Sequence, residues 1–313
     1  MFSLACGPLP FQTSDPADFR YHDYKALLLQ TQCRSYCGIP FPVQNAFPIM
    51  MKKPSLVDRF FRSYGKTRLR GFIQLWRLSG RGSYTTLRAK TSKGTVFELS
   101  PFSYIDAIVL QEGYYESEVV DAIVSSLGDG VLWDVGANFG LHGLTAKFLR
   151  PSARVVCFEP SVEMVGRLLR NRALNALDVD VVNVALSNRS GFLRLFLGPP
   201  GNPGMSTLSP VSEATYAGTS IVAISRGDDL VAQGLVPAPT VIKLDVEGHE
   251  LLVLEGLFKV LHSPSLKALV IEDSPADDTP VKALLSEAGF TCESLSRREN
   301  SEHRLANFVA RRN

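Results

Sequence analysis

Residues 131–140 read VLWDVGANFG, and residues 154–160 read RVVCFEP. Each stretch contains an apolar run typical of a buried strand and an acid near the end of that run, Asp134 or Glu159. The first stretch continues through a glycine turn into a predicted helix. A strand, a glycine turn, a helix and a second strand with an acidic end are typical of a doubly wound α/β fold. Ligands of such folds bind at the carboxyl ends of the strands.

Strand and helix patterns alternate along the rest of the chain. Strands are predicted at 131–135, 154–158, 179–184, 240–245 and 267–272, and helices at 140–149, 161–175, 248–261 and 279–288. This alternation predicts a Rossmann-like, mostly parallel sheet with helices on both faces. Two further strands, 192–197 and 220–224, flank a Gly-Pro-rich loop at 198–210. A closing hairpin is expected at 291–297 and 305–311.

The region before residue 128 is predicted to differ from the sheet domain. Residues 1–51 are rich in proline, show no sustained period and are expected to be poorly ordered. Residues 52–127 are expected to hold a basic helix that begins at Ser55, then a hairpin and a lead-in helix. The hairpin strands are predicted at Tyr84–Ala89 and Thr95–Leu99, and the lead-in helix at Tyr115–Leu127. The sheet domain would then occupy residues 128–313.

Composition indicates a globular protein of the cytoplasm. Hydrophobic residues make up 45% of the chain, enough for a sizeable core. No apolar run approaches the length of a transmembrane helix, and the N-terminus lacks the pattern of a secretory signal. The five cysteines are scattered, which favours reduced thiols.

Charge is distributed unevenly along the chain. Residues 52–93 carry twelve Lys or Arg and a single acid, Asp58, whereas the remainder carries 21 basic and 30 acidic residues. A basic arm therefore precedes an acidic body. One interpretation is a solvated helix face. The other is attraction to an anionic acceptor or to a membrane surface, without a transmembrane segment.

The glycine turn narrows the choice of cofactor. A Walker loop requires Gly-Lys-Ser/Thr and a dinucleotide turn requires Gly-x-Gly-x-x-Gly, and residues 134–140 contain neither. Gly136 and Gly140 instead have a Gly-x-x-x-Gly spacing. Together with Asp134, this spacing fits a cofactor whose charged tail is an amino acid. Asp134 would lie near its ammonium or sulfonium group, and Glu159 would accept hydrogen bonds from both ribose hydroxyls.

The alternative is that Asp134 and Glu159 are ordinary strand-end acids in a fold that binds another ligand. The segment 184–187, which includes Ala185, is expected to form the adenine-side wall of the cofactor site.

A second informative stretch, residues 241–250, reads VIKLDVEGHE. Lys243 lies inside a predicted central strand, where a lysine is rarely buried without a partner. The two-residue period of a strand puts Lys243 and Asp245 on the same face. Lys243 and Asp245 could belong to a catalytic cluster or to a structural ion-pair network. Their position beside the cofactor turn favours the catalytic cluster.

These stretches together resemble the FkbM-type family of S-adenosylmethionine-dependent methyltransferases. The resemblance is carried by residues 134–140, 158–160, 185–187 and 243–250, with support from 115–116 and 204–208. It implies a class I methyltransferase sheet with a closing antiparallel strand near 307–311, and S-adenosyl-L-methionine as cofactor. It implies cofactor contacts for Asp134, Gly136, Asn138, Gly140, Glu159 and Ala185. One departure is Gly227, where members usually have leucine.

The resemblance also implies methyl transfer to an oxygen, often a hydroxyl of a sugar or of a secondary metabolite. A neutral hydroxyl benefits from a general base, and Asp245 and His249 are the candidates. Lys243 would stabilise a developing alkoxide, or else neutralise Asp134 or Asp245. His249 would otherwise be a solvent-facing residue on the first turn of a helix.

Glu272 and Asp273 are expected to line the same pocket, and no metal is predicted, although oxygen ligands here would suit magnesium. The predicted function is therefore O-methylation of a hydroxyl on a sugar, glycan or secondary metabolite. The competing hypotheses are methylation of RNA or protein, and an inactive scaffold. Nucleic acid is the less favoured partner, because the aromatic-proline signature of amino-methylases is missing after the fourth strand.

Overall fold

The computed structural model describes residues 86–199, 201–211, 214, 216–274, 276, 278–295 and 306–313. All of them belong to Pro54–Asn313, one of two units into which the chain divides. The predicted Pro-rich segment 1–51, the basic helix from Ser55 and the first residues of the predicted hairpin lie outside the described residues. The described cysteines, Cys157 and Cys292, are free thiols.

The strands and helices follow in chain order. The strands are β1 (Leu87–Lys90), β2 (Val96–Leu99), β3 (Val131–Val135), β4 (Arg154–Phe158), β5 (Asp180–Val182), β6 (Ala185–Leu186), β7 (Gly191–Leu197), β8 (Gly218–Ser225), β9 (Val241–Leu244), β10 (Ala268–Asp273), β11 (Phe290–Ser294) and β12 (Ala306–Arg312). The helices are α1 (Tyr104–Glu112), α2 (Ser117–Leu127), α3 (Leu141–Leu149), α4 (Val162–Leu174), α5 (Gly227–Ala232), α6 (Glu250–Glu255), α7 (Phe258–Leu261) and α8 (Pro280–Glu287).

The central sheet has the strand order β11-β12-β10-β9-β3-β4-β5. The pairs β3–β4, β3–β9, β9–β10 and β4–β5 are parallel, and β12 is antiparallel to both of its neighbours. The predicted mixed α/β fold with a mostly parallel sheet and a closing antiparallel strand is confirmed. Because β3 and β9 are adjacent, the glycine turn and the VIKLDVEGHE stretch meet at one edge of the sheet.

The two faces of the sheet are buried against different helices. Leu132 and Val155 belong to a core cluster with residues of α2, α3 and α4. Their neighbours Trp133 and Val156 point the other way, into a cluster with residues of α5, α6, α7 and α8. Apolar side chains at successive positions therefore cover both faces, as expected of central parallel strands. None of the described helices is long and apolar enough to cross a bilayer.

The β1–β2 hairpin packs onto this core. Phe97 is fully buried and lies edge-on against Phe139, with ring centroids 5.8 Å apart. Two asparagines of α4 hold the backbone of β2, since Asn171 accepts from the Glu98 amide and Asn175 from the Val96 amide. The described part of the predicted 52–127 region thus shares its core with the sheet.

Several predicted elements differ from the structure. The lead-in helix begins at Ser117 rather than Tyr115, because Glu116 adopts a positive φ of 53°. The helix predicted at 248–261 is two helices, α6 and α7, separated by a turn at Gly256. Helix α1 was not predicted. The strands predicted at 192–197 and 220–224 form β7 and β8, which belong with β6 to a separate three-stranded sheet.

Candidate active site

A cleft opens at the carboxyl ends of β3, β4, β9 and β10, where the doubly wound fold predicts ligand binding. Its empty volume, including the open mouth, is about 1020 Å³. The predicted site residues on its wall are Gly136, Asn138, Glu159, Ala185, Lys243, Asp245, His249 and Glu272. Asp134 and Gly140 are not among the residues that line it.

The glycine turn brings the end of β3 into contact with the end of β9. Gly136 has a φ of 76°, and a Cβ atom there would overlap the carbonyl oxygen of Asp245. The amides of Gly136 and Ala137 both donate to the carbonyl of Phe158, at 3.0 Å. Only glycine fits this position, and the close approach joins the cofactor turn to the predicted catalytic stretch.

Glu159 is buried at the rim of the cleft, with 6% of its surface exposed. Its two carboxyl oxygens accept hydrogen bonds from the amides of Asn138 and Ser161, each at 2.8 Å. Burial raises the pKa of Glu159 to about 7, although these two amide bonds favour the charged form. A carboxylate has about four acceptor sites, so two remain for the hydroxyls of a ligand.

Asp134 lies beneath the turn instead of facing the cleft. It is almost completely buried, and its Oδ2 accepts from the amide of Gly143 in α3, at 2.8 Å. Burial raises the pKa of Asp134 despite the ammonium of Lys243, 3.6 Å from Oδ1. Gly140 is also beneath the turn, where a Cβ atom would press on Leu144. Asp134 and Gly140 therefore support the turn from the side that faces away from the cleft.

Lys243 is the buried cation at the centre of the site. Its Nζ is 3.0 Å from Oδ2 of Asp245 and donates to the carbonyl oxygen of Gly136, also at 3.0 Å. Burial by itself lowers the pKa of Lys243, but the carboxylates of Asp245 and Asp134 outweigh it and raise this pKa above its usual value. The charged ammonium therefore ties β9 to β3 and to the glycine turn.

Four acidic side chains line one side of the cleft, called the acidic side below: Asp245 and Glu247 after β9, Glu272 in β10 and Glu116 before α2. Oxygens of Asp245, Glu247 and Glu272 lie within 4.8 Å of one another. Burial together with neighbouring carboxylates raises the pKa of Glu272 to about 9, of Glu247 to about 8 and of Glu116 to about 7. Asp273 does not belong to this cluster, because it accepts from the hydroxyl of Thr279, at 2.6 Å.

His249 is buried rather than solvent-facing, with 3% of its surface exposed. It is the N-cap residue of α6, since the helix begins two residues later than predicted. Its Nε2 lies 3.0 Å from the hydroxyl of Ser187 and its Nδ1 lies 2.9 Å from the hydroxyl of Ser209. Burial lowers the pKa of His249, which keeps the ring neutral. Both ring nitrogens are therefore already engaged.

The roof of the cleft is the segment Pro203–Ser209, called the roof segment below. Pro203, Gly204, Ser206 and Leu208 contribute to the lining. Thr207 pairs with Phe196 of β7, and its hydroxyl donates to the carbonyl oxygen of Glu247, at 2.7 Å. The Gly-Pro-rich loop of the sequence therefore covers the acidic side of the cleft.

Sequence reasoning missed His142 and gave Glu116 only a supporting place. His142 lines the cleft at 7% exposure, and its Nε2 is 4.0 Å from an oxygen of Glu116. Burial lowers the pKa of His142 to about 3, so this ring is neutral. The sequence signal for Glu116 was its position, next to Tyr115, shortly before the predicted sheet domain. His142 follows the glycine turn by two residues, but no spacing rule singles it out.

Comparison with known proteins identifies the domain. The family model for the methyltransferase FkbM domain matches residues 134–292, about half of the chain. The chain belongs to the FkbM methyltransferase family. This match contains the glycine turn, Glu159, the VIKLDVEGHE stretch and the roof segment.

Two curated relatives and one solved structure extend this comparison. The hexuronic acid methyltransferase AglP of Haloferax volcanii is 38% identical over 165 residues, 53% of this chain and 65% of that protein. The methyltransferase sdnD of Sordaria araneosa is 31% identical over 211 residues, 57% of this chain and 80% of that protein. The methyltransferase FkbM of Methylobacillus flagellatus KT shares 17% identity at a TM-score of 0.39, over 59% of this chain and 44% of its own.

The chain therefore contains a methyltransferase domain, and the cofactor of this family is S-adenosyl-L-methionine. The lining of the cleft fits a cofactor with ribose hydroxyls. Glu159 retains acceptor sites for the hydroxyls of a ligand. The Oδ1 atom of Asn138 is buried and has no hydrogen-bond partner within the part of the chain that the structure describes. A ligand donor would satisfy it.

Proposed function

We propose that this chain transfers a methyl group from S-adenosyl-L-methionine to a hydroxyl oxygen of a sugar or glycan. The observation that carries the proposal is the junction of two half-sites in one cleft. Gly136 and Glu159 form one half, and the carboxylates at the ends of β9 and β10 form the other. The name of the Haloferax relative, a hexuronic acid methyltransferase, supports a sugar as the acceptor class.

Four residues are proposed to contact the cofactor directly: Gly136, Asn138, Glu159 and Ala185, which all line the cleft. S-adenosyl-L-methionine, when bound, supplies a methyl group activated by its positively charged sulfur. Asp134 is proposed to act indirectly, because its carboxylate holds the amide of Gly143 and faces Lys243 below the turn. The protein mainly supplies alignment and a proton acceptor for this reaction.

Asp245 is the proposed general base. About 29% of its side chain is exposed, at the end of β9 and on the wall of the cleft. Lys243 holds one of its oxygens at 3.0 Å, which orients the carboxylate and leaves acceptor sites for the hydroxyl proton. His249 is the weaker candidate, because two serine hydroxyls already occupy its ring nitrogens.

The charge of the lining bears on the acceptor. Lys243 is the single Lys or Arg among the described lining residues, and two carboxylates already surround it. Glu247 and Glu272, with pKa values of about 8 and 9, are largely protonated at neutral pH and can hydrogen-bond neutral hydroxyls. The described wall offers no free cation for the phosphates of RNA. A uronate acceptor would have to keep its own carboxylate away from this wall. The basic arm, residues 52–93, is proposed to attract anionic glycans or membranes. The structure describes only residues 86–93 of this arm.

The test is methyl transfer from labelled S-adenosyl-L-methionine into a host extract that is then separated into glycan, lipid, small-molecule, RNA and protein fractions. We expect label on a sugar hydroxyl, located by hydrolysis and mass spectrometry, and loss of label with Glu159→Ala. Glu163→Ala, an exposed glutamate on α4, is the matched control and should retain transfer. Label in RNA or protein alone, or on nitrogen or carbon, would contradict the proposal.

A further inference from the structure

The roof segment is joined to the rest of the site by a small set of hydrogen bonds. Two backbone bonds, each 2.9 Å long, connect Thr207 with Phe196, and the Thr207 hydroxyl donates to the carbonyl oxygen of Glu247. The Ser206 hydroxyl accepts from the amide of Gly198, just after β7, at 3.0 Å. The Ser209 hydroxyl bonds to Nδ1 of His249, at 2.9 Å. His249 belongs to the same turn as Glu247, which lines the cleft.

His249 connects the roof to the body of the domain through a single imidazole ring. Its other nitrogen, Nε2, bonds to the hydroxyl of Ser187, which follows β6 and is 1% exposed. A neutral imidazole donates from one nitrogen and accepts at the other, so it can bridge two hydroxyls without charge. Burial of the ring, which disfavours the imidazolium, suits this arrangement.

The turn that carries His249 is itself held rigidly. Glu250, the first residue of α6, accepts from the amides of Val246 and Gly248, at 3.0 and 3.2 Å. Gly248 has a φ of 93°, which directs the chain from the cleft into the helix. Behind the turn, Gly256 lies against the carbonyl of Ser187, so the ring and its body-side partner are fixed together.

We propose that His249 is a positioning residue that fastens the roof segment over the acidic side of the cleft. It acts through Ser209 and Ser187, and it does not take the proton from the acceptor. This inference rests on the proposed function for its kinetic consequence. The fastening itself is a property of the protein without any acceptor, so it can be measured separately.

The first measurement is hydrogen exchange on the full chain, without ligand and with S-adenosylhomocysteine. Ser209→Ala removes the roof-side bond, and His249→Ala removes both bonds of the ring. We expect exchange in residues 201–211 to become about tenfold faster in each variant, the loss expected for one hydrogen bond. The double variant should exchange no faster than His249→Ala alone, because the two residues form one contact.

Two variants outside the cleft serve as matched controls. His262→Ala removes an exposed histidine that follows α7, and Ser265→Ala removes an exposed serine before β10. Both should leave exchange in residues 201–211 unchanged. Unchanged exchange in Ser209→Ala and His249→Ala as well would overturn the proposal. If His249→Ala does not fold, Ser209→Ala decides alone.

The second measurement uses the acceptor isolated in the labelling experiment. We expect Ser209→Ala and His249→Ala to raise the acceptor KM about 5- to 10-fold, to lower kcat less than about threefold, and to leave the pH profile of kcat unchanged. If His249→Ala loses kcat and one limb of the pH profile while Ser209→Ala behaves as wild type, His249 is the base and the proposal is wrong. If the wild-type protein transfers no methyl group, the proposed function fails and hydrogen exchange still decides the fastening.

Discussion

At the scale of single residues, the decisive contact is the one between Gly136 and the carbonyl oxygen of Asp245. It requires a positive φ and leaves no room for a Cβ atom. We predict that Gly136→Ala lowers the free energy of unfolding by roughly 2–4 kcal/mol and abolishes binding of S-adenosylhomocysteine. Thermal unfolding and calorimetric titration measure the two effects. Gly218→Ala, at a glycine with open space around it, should change neither.

Glu159 allows a prediction about affinity that is separate from folding. Glu159→Gln keeps the size of the side chain but replaces one acceptor oxygen with an amide that cannot accept from Asn138 or Ser161. We predict at least a tenfold weaker Kd for S-adenosylhomocysteine, since bonds to a charged group contribute about 1.5–3 kcal/mol each. Titration calorimetry gives the Kd. If the affinity does not change, the ribose binds elsewhere in the cleft. Glu163→Gln is the matched control and should leave the Kd unchanged.

At the scale of elements, Asp228 explains how the departure at Gly227 is accommodated. A Cβ atom at Gly227 would overlap Leu257, so a leucine would not fit at this position as the chain is folded. Asp228 is 5% exposed and accepts from the amides of Lys259 and Val260, at 2.9 and 3.0 Å. The close approach of α5 to the turn before α7 takes the space that a leucine side chain would need.

We predict that Asp228→Ala destabilises the domain by about 2–3 kcal/mol, because two amides in the first turn of α7, one of them buried, lose their acceptor. Thermal unfolding should show a lower midpoint, by several degrees. Asp229→Ala is the control, because this neighbouring carboxyl accepts no hydrogen bond among the described residues. Equal shifts for the two variants would mean that the bonds of Asp228 contribute nothing specific.

The central strands could be predicted from sequence because burial on both faces makes them apolar throughout. β3 and β4 match the predicted bounds, and β9 and β10 differ from them by one residue at each end. The break between α6 and α7 could not be predicted, since it depends on the approach of Gly256 to Ser187, which is distant in sequence. For the same reason the sequence indicated His249 as a candidate base but gave no sign of its two serine partners.

At the scale of the whole molecule, the charge of the cleft links the site to stability. Glu116, Glu247 and Glu272 surround Asp245, and Lys243 is the buried cation beside them. Burial among like charges makes the ionised forms costly, so the pKa of each glutamate is raised. The same arrangement that gathers carboxyl groups at the cleft therefore costs folding free energy at neutral and alkaline pH.

Glu272 has the highest pKa of the three, about 9, against a usual value of 4.5. Below pH 4.5 this carboxyl is protonated in both the folded and unfolded chain, and its contribution to stability is fully present. As pH rises from about 4.5 through about 9, the unfolded chain ionises first and that contribution is lost. Glu272→Gln cannot ionise in either state. We predict that it raises the thermal midpoint at pH 8 by several degrees, and by much less at pH 5, where little of this stability has yet been lost.

Thermal unfolding without ligand at the two pH values measures this difference. Glu287→Gln, an exposed glutamate at the end of α8, should give the same midpoint as wild type at both. A lower midpoint for Glu272→Gln at pH 8 would mean that the ionised carboxylate stabilises the folded protein, so that the acids of the cleft would form a favourable ion-pair network around Lys243. An equal rise at both pH values would point to packing instead. A rise mainly at pH 8 would mean that the acidic cleft is maintained at a cost to stability, as expected of groups retained for chemistry.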